Sequence, residues 1–267
     1  MNARRRRYAA LLVTAGLFAL PMSAGAQVWV PEYSQGGAVL LSVSAPLAAP
    51  SASTITTPTG GTTGQIISIG AAGAISGVGL WYGRSIGPVS CAPCDPAGVP
   101  GFDRGLIRPV QGQWKTATDV ALLGMVGGTW IDLGRRDQGA AGFRASLEAV
   151  AWSAAVTQLL KVTVRRIRPY MYAEGSEQYA ENPDSRQSFP SGHTSAAFAL
   201  ATSYFLTMDG LYDQQPYWIF GAAAFVGVGR VLAGKHWITD VLGGAVIGTA
   251  TALIVNEVRF DTQPMPN

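Results

Sequence analysis

The stretch 217–255, YWIFGAAAFVGVGRVLAGKHWITDVLGGAVIGTATALIV, contains two apolar segments separated by a short polar turn. The segments 217–232 and 238–255 are long enough for helices and lack the alternation of polar and apolar residues that is typical of strands. Three glycines in the second segment would let a neighbouring helix approach closely. We therefore predict two helices joined by a turn, the second of which packs closely against a neighbour.

The same pattern recurs in the preceding part of the chain. Apolar segments without period-two alternation cover residues 66–82, 116–131, 143–164 and 194–206. Several such helices in one chain favour an all-α fold, a helical bundle. The uncharged cores of these segments are mostly short for crossing a bilayer, so membrane association and a buried-core bundle both remain open.

The composition excludes several classes of protein. Of the 267 residues, 48% are hydrophobic and only 13% are charged, which excludes a disordered chain and a charge-patterned coiled coil. The formal charge of +3 depends on the four arginines at 4–7, because the remaining fifteen Lys and Arg face sixteen Asp and Glu. We expect no nucleic-acid partner, since no overall basic field is left.

The N-terminus is typical of an export signal. The four arginines precede an apolar stretch over 8–20, and small residues follow at 24–26. We predict a signal peptide over 1–26, with an uncleaved membrane anchor as the alternative. The predicted organisation then continues with an irregular linker segment over 27–64, the main domain over 65–260 and a tail over 261–267.

The two cysteines, Cys91 and Cys94, lie in a proline-rich loop. Export would place this loop in an oxidising compartment, where a small loop disulfide is favoured over a metal site. A thioredoxin-like redox centre is the alternative, although the motif does not lie between a strand and a helix.

Three polar clusters stand out in this charge-poor chain. In the first, Lys161, Arg165 and Arg168 follow i, i+4, i+7 spacing before Pro169, so a helix would place them on one face. Three cations on one face repel each other unless an anion binds there. The alternative is a group of cations that reach the edge of a membrane.

The second cluster, Ser191, Gly192 and His193, directly precedes an apolar helix. Backbone N–H groups at a helix N-terminus are suited to bind an anion. Alone, such a histidine would more often be structural than catalytic.

The third cluster is Arg230, His236 and Asp240. With a spacing of four residues, the carboxylate can accept the proton of one ring nitrogen, which leaves the other nitrogen free as a nucleophile. Alone, an i, i+4 pair of this kind is weak evidence.

Taken together, the three clusters resemble the signature of a known family. Lys161-x6-Arg168-Pro169, Pro190-Ser191-Gly192-His193 and Arg230-x5-His236-x3-Asp240 resemble the tripartite signature of the type 2 phosphatidic acid phosphatase (PAP2) superfamily. That superfamily includes lipid phosphatases, bacterial class A acid phosphatases and vanadium haloperoxidases. The resemblance covers about 161–240, and one departure is Gly229, where the family usually has serine.

The resemblance implies a PAP2-type helical bundle with the active site at one end, and a role for each signature residue. His236 would attack phosphorus to form a phosphohistidine, Asp240 would orient it, and His193 would protonate the departing oxygen. The implied phosphate-binding residues are Lys161, Arg168, Ser191, Gly192 and Arg230. No metal or other cofactor is expected, and vanadate is expected to inhibit.

The expected function is a metal-independent phosphatase that hydrolyses a phosphomonoester or a lipid (di)phosphate. It would act outside the cytoplasm, either at the outer face of the cell membrane or in the soluble periplasm. The alternatives are a vanadium-dependent haloperoxidase, a soluble non-specific acid phosphatase and a non-enzymatic helical bundle. Five further residues are expected near the site, where they could contact a substrate headgroup: Arg165, Arg166, Tyr170, Tyr172 and Arg186.

Overall fold

The computed structural model describes residues 61–137 and 139–260. Within these ranges the α-helices are α1 Thr62–Arg84, α2 Gly101–Arg104, α3 Gly112–Gly134, α4 Gly139–Val164, α5 Gly192–Tyr212, α6 Trp218–Leu232 and α7 Ile238–Arg259. Short 3-10 helices cover Pro96–Gly98, Pro169–Tyr172, Ser176–Tyr179 and Pro183–Arg186. No strand occurs in the described ranges, and the predicted all-α bundle is confirmed.

Some predicted boundaries fall outside these ranges. The predicted signal peptide, most of the predicted linker 27–64 and the tail 261–267 lie outside the described residues. Helix α1 begins at Thr62, directly after the glycine pair at 60–61 and slightly before the predicted start of the domain at 65.

The long helices alternate in direction. Helices α1, α4 and α6 run towards one end of the bundle, and α3, α5 and α7 run away from it. At that first end lie the loops 85–111, 165–191 and 233–237, and the signature residues lie in these loops or in the adjoining turns of the helices. We call it the site end, and the other end, where Arg259 of α7 meets Glu148 of α4, the far end.

Helix α5 is the centre of the bundle and packs against α4, α6 and α7. Its contact with α7 is very close, since a Cβ atom at Gly248 would lie 2.1 Å from the backbone oxygen of Ser195. Gly244 meets the oxygen of Ser191 in the same way, at 2.6 Å. These small residues bring the start of α7 against the start of α5, where two of the three clusters lie.

Two helices, α1 and α7, are long and apolar enough to cross a membrane, with 23 and 22 residues. Large apolar side chains are exposed on their surfaces and on those of α3 and α6. Examples are Ile67, Trp81, Leu123, Val228 and Ile254. A surface of this kind is unusual for a monomeric soluble protein and indicates contact with lipid or protein.

Candidate active site

The three clusters meet at the site end. Lys161 lies in the last turn of α4, His193 in the first turn of α5, Arg230 in the last turn of α6 and Asp240 in the first turn of α7. His236 lies in the short loop between α6 and α7. The alternating helix directions bring these residues together, although they are up to 79 positions apart in the chain.

The contacts of His236 define its tautomer. Its Nδ1 lies 2.8 Å from the backbone oxygen of Ser188, and its Nε2 lies 3.1 Å from Nη1 of Arg168. A carbonyl oxygen only accepts and a guanidinium only donates, so the proton is on Nδ1 and the lone pair is on Nε2. Burial, and then the charges of Arg168 and Lys161, hold the pKa of His236 well below its usual value. The ring is therefore neutral, with Nε2 available as a nucleophile.

Asp240 does not make the direct hydrogen bond that we predicted. Its Oδ2 is 3.6 Å from Nδ1 of His236, whereas the carbonyl of Ser188 is much closer. The carboxylate is instead occupied by the hydroxyl of Ser188 at 2.5 Å, the backbone N–H of Trp237 at 2.8 Å and Arg166 at 2.7 Å. Asp240 thus fixes the turn that carries His236 and the segment whose carbonyl accepts the ring proton.

The three signature cations are buried around this imidazole. Arg168 is 4% exposed, Arg230 5% and Lys161 9%. Arg168 is held by Asp184 at 2.6 Å, and Nζ of Lys161 donates to the carbonyl of Gln187 at 2.6 Å. Burial, and then the charge of Arg168, lower the pKa of Lys161 to about 7. So many buried positive groups are costly without an anion.

Arg230 has unused hydrogen-bonding capacity. Its Nη1 donates to Asp119 at 3.2 Å, but its buried Nε has no hydrogen-bond partner among the described residues. Buried guanidinium donors are normally satisfied, so an unpaired one beside other cations is suited to an anion's oxygen.

The start of α5 lies beside Lys161. A Cβ atom at Gly192 would lie 3.8 Å from Cε of Lys161, so the helix start and the ammonium group are neighbours. Ser191 is fully buried, its N–H donates to the carbonyl of Asp240 at 2.9 Å, and its hydroxyl accepts from Thr194. The backbone N–H of Ser191 is thus already used to hold α7, and the first amides of the helix itself remain for an anion.

His193 stands at the open side of the site. Its side chain is 35% exposed, and Nε2 lies 2.8 Å from Oδ1 of Asp119. Burial, and then the charge of Arg230, lower the pKa of His193 to about 4 in spite of Asp119. Asp119 also binds Lys115 at 3.0 Å and Arg230. Burial opposes its ionisation, but these partners hold the pKa of Asp119 below its usual value.

The predicted common face of Lys161, Arg165 and Arg168 is wrong. Helix α4 ends at Val164, before Pro169 can stop it, and Arg165 has a positive φ of 51°. Its side chain points to the hydroxyl of Tyr82 at 3.1 Å, away from the site. Arg168 reaches the site from the loop, and the irregular backbone between the two explains the difference.

The expected headgroup residues also differ in part. Tyr170 is 1% exposed and binds Ser185, and Arg166 turns inward to Asp240 and Asp103. Tyr170 therefore does not face an open surface, and the guanidinium of Arg166, whose side chain is 25% exposed, is engaged by these carboxylates.

A disulfide joins Cys91 and Cys94 at the site end. The loop packs on the segment after Arg168, because the N–H of Cys94 donates to the carbonyl of Met171 and that of Val89 to Ala180, both at 2.9 Å. The cysteines therefore support the loop that carries Arg168.

The departure at Gly229 has a steric reason. A Cβ atom there would lie 2.3 Å from Cγ2 of Thr118 on α3. Thr118 is fully buried and places its hydroxyl 3.4 Å from Nη1 of Arg230. The threonine occupies the space that a serine side chain at 229 would need.

No group of three or more His, Cys, Asp or Glu side chains suited to a metal ion occurs within 61–137 and 139–260. The absence of a metal or other cofactor remains a prediction.

Comparison with known proteins identifies this arrangement. A sequence model of the PAP2 superfamily matches residues 143–264, which include all three clusters. The matched segment contains Lys161, His193, Arg230 and His236, while Asp119 and Thr118 come from a helix that precedes it.

Three relatives have names that refer to lipid phosphates. The chain is 40% identical to the lipid A 1-phosphatase of Porphyromonas gingivalis over 77 residues, 27% of this chain and 16% of that protein. It is 34% identical to lipid phosphate phosphatase 1 of Arabidopsis thaliana over 133 residues, 40% of this chain and 41% of that protein. It is 33% identical to phosphatidylglycerophosphatase B of Bacillus subtilis over 107 residues, 38% and 49% of the two chains. The chain spans less than half the length of each of these relatives.

Three residues of the site, Asp103, Asp119 and Ser188, are not predicted by the sequence analysis. The one available signal is the i, i+4 spacing of Lys115 and Asp119 on a largely apolar helix.

Proposed function

We propose that this protein is a phosphatase that hydrolyses the phosphate ester or diphosphate of a lipid through a phosphohistidine on His236. The observation that carries the proposal is the lone pair of Nε2, held 3.1 Å from Arg168 inside a cluster of buried cations. A tetrahedral anion bound there would lie against the only unprotonated nitrogen of the ring.

Binding of the substrate phosphate follows from the charges. Arg168 and Arg230 supply planar donors for two oxygens, and Lys161 supplies a point charge. The unpaired Nε of Arg230 gains an acceptor when the phosphate arrives. Positioned positive groups of this kind stabilise the charge on the non-bridging oxygens in the transition state.

In the first chemical step, Nε2 of His236 forms a bond to phosphorus as the bond from phosphorus to the leaving oxygen breaks. The proton stays on Nδ1 and keeps its hydrogen bond to the Ser188 carbonyl, which stabilises the positive charge that develops on the ring. His193 gives a proton to the leaving oxygen. Asp119 accepts the hydrogen bond from Nε2–H of His193, so the proton that is transferred comes from Nδ1. The pKa of the free His193 ring is low, and binding of the negatively charged phosphate raises it, so that the ring carries this proton.

In the second step, a water replaces His236 on phosphorus. His193, now neutral, takes one proton from this water as the new oxygen–phosphorus bond forms and the nitrogen–phosphorus bond breaks. Inorganic phosphate leaves, and His193 and His236 return to their starting states. The cycle consumes one water and uses no metal or redox partner.

A lipid substrate is supported by the surface around the site. Val120, Phe225 and Val228 are exposed on the two helices, α3 and α6, that flank the open side at His193 and Asp119. An acyl or isoprenoid chain could lie against these side chains. The names of the three relatives agree with this class of substrate.

The site end faces the outside of the cytoplasm in this proposal. The Cys91–Cys94 disulfide lies at that end, and disulfides persist in oxidising compartments. Helices α1 and α7 would then span the membrane, with Arg135, Arg136 and Arg259 at the cytoplasmic far end. Cleavage of a signal would leave the new N-terminus outside the cytoplasm. If three helical segments before Arg168 then cross the membrane, the loop after Arg168 would face the cytoplasm. A fourth crossing, by the segment 38–49, is therefore required; this segment lies outside the described residues.

The decisive experiment follows the covalent intermediate. Purified protein, incubated with ³²P-labelled 4-nitrophenyl phosphate and quenched in alkali, should hold an acid-labile, alkali-stable phosphoryl group. His236→Ala should lose both this label and phosphate release. His193→Ala should keep the label and accumulate it, since this leaving group needs no acid but the water attack needs a base.

Phosphate release by His236→Ala at the wild-type rate would refute the proposed nucleophile. Bromide oxidation by peroxide that requires vanadate, without any phosphate release, would favour the haloperoxidase alternative. A wild-type protein that remains in the soluble fraction and prefers water-soluble esters would favour an acid phosphatase.

A further inference from the structure

A second polar cluster lies next to the nucleophile and is built from contacts that involve none of the signature cations. Its centre is Arg166, whose Nη1 donates to Asp240 at 2.7 Å and to the hydroxyl of Thr239 at 2.6 Å. Its Nη2 donates to Asp103 at 2.7 Å, and Asp103 also accepts from Thr239 at 2.9 Å. One guanidinium thus joins two carboxylates that are both fully buried.

The same guanidinium holds the residue next to the nucleophile. Its carbon lies 5.4 Å from the centre of the Trp237 ring, and Nε1 of Trp237 donates to the carbonyl of Ile167. Arg166 therefore contacts three of the four residues that follow His236. Through these contacts, the Arg166 side chain restrains the backbone segment that carries the imidazole.

Asp103 is hard to explain by stability alone. It comes from the four-residue helix α2, well before the segment that the PAP2 family model matches. It is 0% exposed, and its Oδ1 has no hydrogen-bond partner among the described residues. A buried carboxylate with an unsatisfied oxygen is costly, and ion pairs of this kind often contribute little to stability.

We propose that Asp103 and Arg166 are positioning residues for the nucleophile. Asp103 orients the guanidinium of Arg166, which holds Asp240 and the Trp237 ring and thereby fixes the direction of the Nε2 lone pair of His236. The inference rests on the proposed function, because it assigns a role in the attack on phosphorus. Neither residue touches the bound phosphate, so both act through the angle and distance of that attack.

The test separates positioning from binding by comparing two inhibitors. The Ki of inorganic phosphate reports binding of an anion by the signature cations. Vanadate also forms a bond to the attacking nitrogen in a five-coordinate species, so its Ki reports the position of that nitrogen as well. In Asp103→Asn we expect kcat to fall about 10- to 100-fold and the vanadate Ki to rise at least about 10-fold, because small misplacements of reacting groups have effects of this size. The phosphate Ki should change less than about threefold.

Asp95→Asn is the matched control, since Asp95 is exposed in the same loop and its carboxylate accepts from the nearby N–H of Ala97. It should leave kcat and both inhibition constants unchanged. Arg166→Lys is a second test of the same role. It keeps the positive charge but loses the planar set of N–H donors that joins Asp103 to Asp240, so the protein should fold and show the same fall in kcat and rise in vanadate Ki.

Two results would overturn the inference. One is a wild-type kcat and vanadate Ki in both variants; the other is an equal loss of phosphate and vanadate binding, which indicates a purely structural role. If Asp103→Asn does not fold, Arg166→Lys decides between these outcomes. A wild-type protein that releases no phosphate and binds no vanadate would instead refute the proposed function itself.

Discussion

At the scale of single residues, the site depends on groups that lie outside the three signature clusters. Asp119 holds His193 and Arg230 together, and Ser188 accepts the ring proton of His236. Each acts on a signature residue and not on the substrate. The signature clusters thus supply the buried cations and the two imidazoles, and the residues around them determine the orientation and protonation of those groups.

The first prediction concerns Asp119. Asp119→Asn removes the charge that keeps the pKa of His193 from falling further, so protonation of the leaving oxygen should suffer. We expect kcat for an alkyl phosphate to fall about 10- to 100-fold, and that for 4-nitrophenyl phosphate to fall much less, because its leaving group needs no acid. The exposed Asp137 at the far end gives the control Asp137→Asn. An equal effect on both substrates would contradict the assigned acid.

The second prediction concerns pH. The pKa of Lys161 is lowered to about 7 in the unliganded protein, so its ammonium is present below that pH and lost above it. The Ki of sulfate, whose charge is constant here, should rise about fivefold between pH 7 and 8, because the charged fraction of Lys161 falls from about one half to about one tenth. In Lys161→Arg most of this rise should disappear, because the guanidinium stays charged. Burial lowers the pKa of Lys235 to about 8, so its loss of charge over the same interval adds less than about twofold. An unchanged pH dependence in Lys161→Arg would assign the titration to another group.

At the scale of helices, the site depends on how closely α7 approaches α5. The two helix starts carry Asp240 and His193, and the contact passes through glycines. The pattern of glycines in 238–255 predicted such a contact, but not which helix would make it. The partner is fixed only when the alternating helices place α5 in the centre.

The third prediction tests that contact. Gly248→Ala would place a methyl group 2.1 Å from the oxygen of Ser195, and backbone cannot move aside as a flexible side chain can. We expect a loss of about 1–3 kcal/mol in the free energy of unfolding, measured by thermal melting. Gly221→Ala in α6 meets no atom within 4 Å and should gain up to about 1 kcal/mol. Equal melting temperatures for the two variants would show that the helices tolerate wider spacing.

At the scale of the whole molecule, the bundle separates two ends with different chemistry. The site end carries the signature cations, the two histidines and the disulfide, and the far end carries the ion pair of Glu148 with Arg259 at 2.6 Å. The exposed apolar side chains lie on the helices between them. This distribution favours association of the bundle with a membrane, and the proposed orientation places its site end outward.

The fourth prediction tests this orientation with introduced cysteines. Gln178 is exposed at the site end and Gln214 at the far end. In intact cells, a membrane-impermeant maleimide should label Gln178→Cys directly and Gln214→Cys only after permeabilisation, and the native cysteines are protected by their disulfide. Labelling in the reverse order would place the site in the cytoplasm, and labelling of both would contradict a membrane-spanning bundle.

The sequence alone determined the helical class, the approximate helix segments and the three signature clusters that meet at the site end. These features follow from local periodicity and from spacing along the chain, so they need no knowledge of tertiary contacts. The predicted common face of Lys161, Arg165 and Arg168 failed because it assumed that the helix continues to Pro169, whereas the backbone leaves the helix at Arg165.

Only the tertiary structure decided which groups orient the two histidines. The acceptor of the His236 ring proton is a carbonyl 48 residues away, and the partner of His193 is a carboxylate 74 residues away. Contacts between distant segments depend on which helices pack together and how closely, and no local pattern specifies them. The sequence thus predicts which residues form the candidate site, while their orientation and protonation result from packing.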